Sequence, residues 1–181
     1  MFNAVLILTM AWSIALVTKD MHTAEFVSQL LLQWSLSPIW VPVITFILAA
    51  LIGFSTGTSW GTMAILYPLI LPASWLLCQQ QGLSADASLP LFYNVVASVI
   101  AGAVMGDHCS PISDSTIMSS LSSQCDHLQH VSTQMPYALT VGSTALVFGF
   151  MPTALGLPSW AAFLVAFIAL GVVVRFVGKR V

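Results

Sequence analysis

Residues 106–116 read Gly-Asp-His-Cys-Ser-Pro-Ile-Ser-Asp-Ser-Thr, and they hold most of the reactive chemistry of the chain. Two carboxylates (Asp107, Asp114), an imidazole (His108), a thiol (Cys109) and four hydroxyls (Ser110, Ser113, Ser115, Thr116) follow an apolar run at 91–105. A partly apolar piece, 117–121, comes after them. An Asp at the centre of a membrane helix costs about 2.5–3.5 kcal/mol on insertion scales, so such groups persist only where they face a cavity or a partner. Pro111 removes a backbone donor and pushes Ser110 away from helical angles. The pattern predicts a helix over 91–121 that is interrupted in mid-membrane, with Gly106 and Pro111 at the break. Its hydroxyls and freed carbonyls would face an ion path.

A second polar stretch, 53–62, reads Gly-Phe-Ser-Thr-Gly-Thr-Ser-Trp-Gly-Thr. Three glycines and five hydroxyl residues will not hold a regular helix well. Short apolar pieces at 39–52 and 63–78 flank it, the second broken by Pro68 and Pro72. Two geometries fit residues 39–78: a re-entrant hairpin with Gly57 and Gly61 at its breaks, or a single interrupted crossing.

The elements that must position these stretches are those of a membrane protein. Of 181 residues, 58% are hydrophobic and 6% charged, against roughly 25% charged in a soluble domain. Net charge is −2, which gives no basic patch for nucleic acid. Cys78, Cys109 and Cys125 have no paired spacing. The first residues, Met1-Phe2-Asn3-Ala4, lack a basic leader region, so residues 2–17 are read as a spanning helix. Residues 23–35 carry Phe26, Leu30 and Trp34 on one helical face and Glu25, Gln29 and Gln33 on another. Such a helix lies along the interface or connects spans.

Residues 79–90 and 122–134 read as polar loops, 136–151 as a plain span with small residues for close packing, and 160–177 as the last span. Arg175, Lys179 and Arg180 are three of the four basic residues. They put the C-terminus in the cytoplasm by the positive-inside rule. Cys125, Asp126, His127 and His130 match no zinc spacing and are read as a solvated loop.

Residues 56–62 with 65–72, and residues 106–116, resemble the NhaC family of sodium/proton antiporters. Thr133-Gln134-Met135-Pro136-Tyr137-Ala138 adds a weaker match. The resemblance implies a multi-pass secondary transporter of a cell membrane, bacterial inner membrane by preference, and not an enzyme. It implies two inverted repeats, each with a spanning helix, an interfacial arm, a re-entrant hairpin and an interrupted helix. This chain shows that order once, at 2–17, 23–35, 39–78 and 91–121. The hairpin is therefore chosen over the crossing, and residues 1–181 are expected to be one membrane domain, the C-terminal half of a transporter. A complementary N-terminal half or a second copy is the expected partner, besides the lipid bilayer.

Within that resemblance, sodium needs hard oxygen ligands. Asp107, Asp114, Ser110, Ser113, Ser115 and Thr116 supply them from the break, and Ser55, Thr56, Thr58 and Ser59 from the hairpin. A carboxylate that holds either sodium or a proton couples the two ions. His108 is either a proton relay or a group that orients an Asp. Cys109 is read as packing. No cofactor and no metal beyond sodium is expected. Two other readings stand beside antiport. One is a non-transporting remnant or subunit of a split transporter. The other is an ion-coupled carrier of organic solutes, against which the lack of a basic residue between Lys19 and Arg175 argues.

Overall fold

The computed structural model describes residues 37–178 without interruption, and ten isolated positions between 13 and 33. The expected span at 2–17, the amphipathic helix at 23–35 and the pair Lys179 and Arg180 therefore lie outside the continuously described residues. The described residues form helices and no strand: an all-α polytopic membrane protein.

A single 3₁₀ turn, Pro38–Trp40, opens into α1, Val41–Thr56. Helix α2 is Ser59–Gln80, α3 is Ala85–Cys109, α4 is Asp114–Ser122 and α5 is His127–Thr144. A π-helical stretch, Ala145–Phe150, and the short α6, Met151–Ala154, prolong α5, and α7 is Ser159–Val177. Among the described residues five stretches are long and apolar enough to cross a bilayer: Pro38–Thr56, Ser59–Gln80, Ala85–Cys109, His127–Ala154 and Ser159–Phe176.

Helix is more extensive than the sequence pattern predicts. In 53–62 only Gly57 and Thr58 leave helical form. Gly61 lies inside the first turn of α2, and Gly106 lies inside α3, so neither is a break. Helix α2 runs on through Pro68 and Pro72. The loop expected at 79–90 shrinks because Ser84 accepts the Ala87 N–H and starts α3 before Asp86. The loop expected at 122–134 shrinks likewise, because Asp126 accepts the Gln129 N–H at 2.9 Å. Behind that cap, Ser132 and Thr133 return their hydroxyls to the Gln129 carbonyl. In an apolar setting hydroxyl side chains can satisfy the helix they sit on, and polarity then ceases to signal a loop.

Helices α1 and α3 lie side by side and run in the same direction, at backbone contact. A Cβ on Gly102 would strike the Phe46 carbonyl and come 2.8 Å from the Ala49 Cβ. A Cβ on Gly106 would strike the Ala50 carbonyl and come 2.6 Å from the Phe54 nitrogen. Gly53 meets the Ala103 carbonyl in the same way, at 2.7 Å. Gly102 and Gly106 are a Gly-x-x-x-Gly pair, the spacing that lets helices touch in lipid. Helix α2 returns antiparallel: the Tyr67 hydroxyl donates to the Val96 carbonyl at 3.5 Å, and Trp75 meets Phe92 edge-on at 5.9 Å. Val41, Ala49, Leu66, Ile70, Leu77, Val95 and Val99 form the buried core of these three helices.

The last two spans are much less covered. Within the structure 39% of each of the first three spans is buried, against 11% for His127–Ala154 and 6% for Ser159–Phe176. Helix α5 seats on α3 where Gly142 receives the Met105 side chain.

The Gly102 and Gly106 contacts generate a prediction. Gly106→Ala forces backbone against backbone and should lower stability by about 3 kcal/mol or more. Gly171→Ala, with nothing within 4 Å of the added carbon, should change it little. Unfolding in mixed micelles with increasing denaturing detergent reads the difference, and equal midpoints would contradict the packing.

Candidate ion-binding site

Helix α3 stops at Cys109. Ser110 takes an extended backbone (φ −78, ψ 128), and Ser113 (φ −70, ψ 133) stands before the first residue of α4. Both serines are fully buried. The Ile112 N–H reaches the Ser110 Oγ at 3.4 Å, which steadies the turn. Asp107 lies two residues before the end of α3, a 25-residue helix long enough to cross by itself. The break thus comes at the end of a crossing helix, where the pattern predicts it halfway along one.

The Asp107 carboxylate is the focus of the break. The Ser113 hydroxyl donates to its Oδ1 at 2.6 Å, and the Ser115 hydroxyl points at Oδ2 at 3.5 Å. The two hydroxyls are 2.8 Å apart. Charge-assisted bonds of this kind are roughly twice as strong as neutral ones. Thr116, 2% exposed, keeps an Oγ1 with no partner among the described residues. Asp114 does not join the cluster: it is exposed in the first turn of α4, where the helix dipole favours a negative charge.

The turn between α1 and α2 meets this break. Gly57 has φ 65, and a Cβ there would lie 2.8 Å from the Ile112 carbonyl oxygen. The hydroxyls of the turn are engaged with their own helices. Ser55 donates to Leu51 O and Thr56 to Ile52 O, both at 2.8 Å. Thr62 donates to Thr58 O at 2.9 Å and lies 3.3 Å from the Thr56 hydroxyl, while Thr58 accepts the Gly61 N–H at 3.3 Å. Ser59 is half-buried beside them. The fold thus brings Asp107, Ser113 and Ser115 together and sets Gly57 on Ile112. Ser55 and Asp114 stay exposed at the margin.

His108 faces elsewhere. Its Nδ1 lies 2.9 Å from the Val104 carbonyl, and its ring lines an apolar groove of about 580 Å³ between α3 and α5, beside Gln134 and Tyr137. A different histidine serves the break. The His127 Nε2 donates to the Pro111 carbonyl at 2.7 Å, and its Nδ1 lies 3.1 Å from the Ser120 Oγ. A straight continuation of α3 would put Ser120 about 13 Å beyond Pro111, so α4 must turn aside for one imidazole to reach both. The neighbours of His127 are also occupied. Asp126 caps α5, and the Cys125 Sγ points at the Ser120 carbonyl at 3.7 Å. Among the described residues no three His, Cys, Asp or Glu side chains gather as a metal site.

Residues 1–153 match the family described as the Na+/H+ antiporter family. The chain belongs to that family. An uncharacterized protein of Haemophilus influenzae is 39% identical over 180 residues, 99% of this chain and 32% of that protein. The malate-2H(+)/Na(+)-lactate antiporter of Bacillus subtilis is 33% identical over 111 residues, 59% of this chain and 21% of its own length. An uncharacterized Na(+)/H(+) antiporter of Haemophilus influenzae is 27% identical over 119 residues, 64% of this chain and 23% of its own. The chain spans about a third or less of these relatives. No solved structure matches it.

The meeting of turn and break can be tested by comparing two left-handed glycines. Gly82 (φ 73) has nothing within 4 Å of an added carbon. Gly82→Ala should therefore lose only the backbone cost, about 1–2 kcal/mol. Gly57→Ala adds the collision with Ile112 and should lose at least twice as much, read as the shift in unfolding midpoint in detergent.

Proposed function

We propose that this chain carries one wall of the ion path of a sodium/proton antiporter of the NhaC type. Asp107 is the group that holds sodium and proton in turn. The observation that carries this reading is the Asp107–Ser113–Ser115 cluster at the point where a helix break meets a helix turn. Sodium needs several hard oxygens around one negative charge, and a proton needs the same carboxylate. One ion therefore enters as the other leaves. Thr116, whose buried hydroxyl has no partner among the described residues, and Ser110 are the next ligands, and Thr56, Thr58 and Ser59 would add oxygens from the turn. Ser55 and Asp114 line the approach. The chain does no covalent chemistry and needs no cofactor.

If the apolar run begins at the membrane surface, Leu91 to Asp107 covers about 24 Å at 1.5 Å per residue. That is inside a core of roughly 30 Å but past its middle. The ion would then bind nearer the face that carries His127, the cytoplasmic one if Arg175 marks the inside of a bacterial inner membrane.

The path is incomplete in this chain alone. The aligned region amounts to 32% of the nearly full-length Haemophilus match, so the complement is closer to two-thirds of such a protein than to half. The uncovered faces of α5 and α7 support a second wall made by further helices or another chain. The organic-solute reading draws support from the likeness to the malate and lactate antiporter. Against it, the sequence has no Lys or Arg between Lys19 and Arg175 to hold a carboxylate substrate.

In everted vesicles carrying the assembled antiporter, Asp107→Asn should abolish sodium-dependent proton movement. Asp114→Asn should cost less than about tenfold in apparent sodium affinity, one charge at an exposed site being worth around 1 kcal/mol. Normal exchange in Asp107→Asn sinks the assignment, and exchange that requires malate or lactate selects the organic reading. The purified 181-residue chain alone should give no flux in liposomes.

A further inference from the structure

We propose that His127 is a positioning residue for the ion site. It braces the helix break from α5, and through the break it holds the Ser113 and Ser115 hydroxyls on Asp107. The effect on transport rests on the ion-binding reading of Asp107, whereas the brace stands on the hydrogen bonds alone. The Pro111 carbonyl can only accept, so the ring hydrogen at this 2.7 Å contact sits on Nε2. A neutral ring then offers Nδ1 as an acceptor, and the Ser120 hydroxyl, 3.1 Å away, can fill it. That hydroxyl is also 2.9 Å from the Ile117 carbonyl, so its hydrogen is shared between the ring and its own helix. One ring thus joins three pieces of chain: the break at Pro111, the far half of α4 at Ser120 and the first residue of α5. Ser113, Ser115 and Thr116, oxygens of the proposed site, lie between the two anchors. A donor and an acceptor at fixed spacing suffice, and no change of charge is needed.

Helix α4 has little else to fix it. Among the described residues its side chains hydrogen-bond to other helices at two points, Ser115 to Asp107 on α3 and Ser120 to His127 on α5. Its outer side is apolar, with Met118 and Leu121 exposed, and in lipid such a face gains little by packing. The turn that brings His127 back to α4 is held against its own preference. Gln124 has φ 53, the left-handed conformation in which glycine is the usual residue, and the Cys125 N–H donates to the Ser120 carbonyl at 3.1 Å. A side chain there costs about 1–2 kcal/mol. Such a conformation persists where the surroundings over-determine it, and the Cys125 bond and the imidazole beyond it do so here. Without the ring, the Pro111 carbonyl loses its partner and α4 keeps the Ser115 contact alone. The Asp107 oxygens are reached by Ser113 and Ser115, so the ring acts on the carboxylate through those two hydroxyls.

A glutamine amide carries the same pair, a donor N–H and an acceptor oxygen, on a group that does not ionise. His127→Gln should therefore keep the brace, and His127→Ala should lose it. The first readout needs no transport. Spin labels are placed at Met118→Cys on α4 and Tyr93→Cys on α3, both exposed, in the full chain in lipid bilayers with Cys78, Cys109 and Cys125 replaced. The parent and His127→Gln should give one narrow distance distribution, and His127→Ala a broad or displaced one. An unchanged distribution in His127→Ala overturns the brace. The second readout is sodium-dependent exchange in everted vesicles carrying the assembled antiporter. His127→Ala should raise the sodium concentration for half-maximal exchange about two- to tenfold, the worth of one hydrogen bond, and leave the maximal rate little changed. His127→Gln should restore the parent value. An unmoved sodium requirement in His127→Ala, or a pH profile shifted in His127→Gln, overturns the positioning role. If His127→Ala fails to insert, Ser120→Ala, which removes the α4 anchor alone, carries both readouts. A parent protein without sodium-dependent exchange fails the antiport reading instead, and the distance measurement then decides the brace by itself.

Discussion

Backbone contact between α1 and α3 is the constraint from which the rest of the structure follows. Apolar side chains gain little by leaving lipid for one another, so helices in a bilayer associate through close packing and hydrogen bonds. Gly102 and Gly106 give α3 a flat strip, and the carbonyls of Phe46 and Ala50 press onto it. With the two helices parallel and locked in register, the turn after α1 and the break after α3 must reach the same level. The 2.8 Å approach of Gly57 to Ile112 is the consequence. A shift by one helical turn, about 5.4 Å, would part them and leave the broken-helix carbonyls without cover.

The polar residues divide according to whether their hydrogen-bonding needs are met. Ser55, Thr56 and Thr62 return their hydroxyls to their own backbone, as Ser74, Ser88 and Ser98 do in the core. Such groups make a polar sequence compatible with lipid or a protein interior at little cost. Asp107 differs, because a carboxylate has room for about four hydrogen bonds and two hydroxyls reach it among the described residues. Thr116 differs because its oxygen has nothing. These two are the groups at the break whose needs the described residues leave unmet, which is why the ion reading rests on them more than on the length of the hydroxyl list.

Much of this was legible in the sequence, and the failures have one cause. The membrane class, the interruption near Pro111 and the special conformation of Gly57 follow from composition, from a ring without an N–H and from a residue without a Cβ. What sequence reasoning missed was helix where residues looked polar: 59–62, 85–90 and 127–134. Polarity signals a loop when water competes for the backbone, and here capping residues and back-bonded hydroxyls took that role. The Gly-x-x-x-Gly spacing at 102–106 is present in the sequence, where Gly106 alone reads as a break beside Asp107. The reach of His127 to Pro111 was not available, since sixteen residues separate them and only the sideways course of α4 brings them together.

The two carboxylates of the motif sit at opposite helix ends, and that separates their roles. Asp107 lies in the last turn of α3, where unpaired carbonyls give the helix a partial negative charge. A cation there is drawn by the carboxylate and by the helix end together, and Ser110, extended just past it, keeps those carbonyls from being covered by a further turn. Asp114 lies in the first turn of α4, whose N–H groups carry the opposite partial charge. Those N–H groups repel a cation that the Asp114 carboxylate alone would attract. In the proposed ion-binding reading the α3 end is therefore the better resting place for an ion, and Asp114 offsets the dipole of a nine-residue helix. A break between helices that share one strand of chain creates both ends within a few residues. This is how a short motif can offer a cation an attractive end and still keep its second acid satisfied.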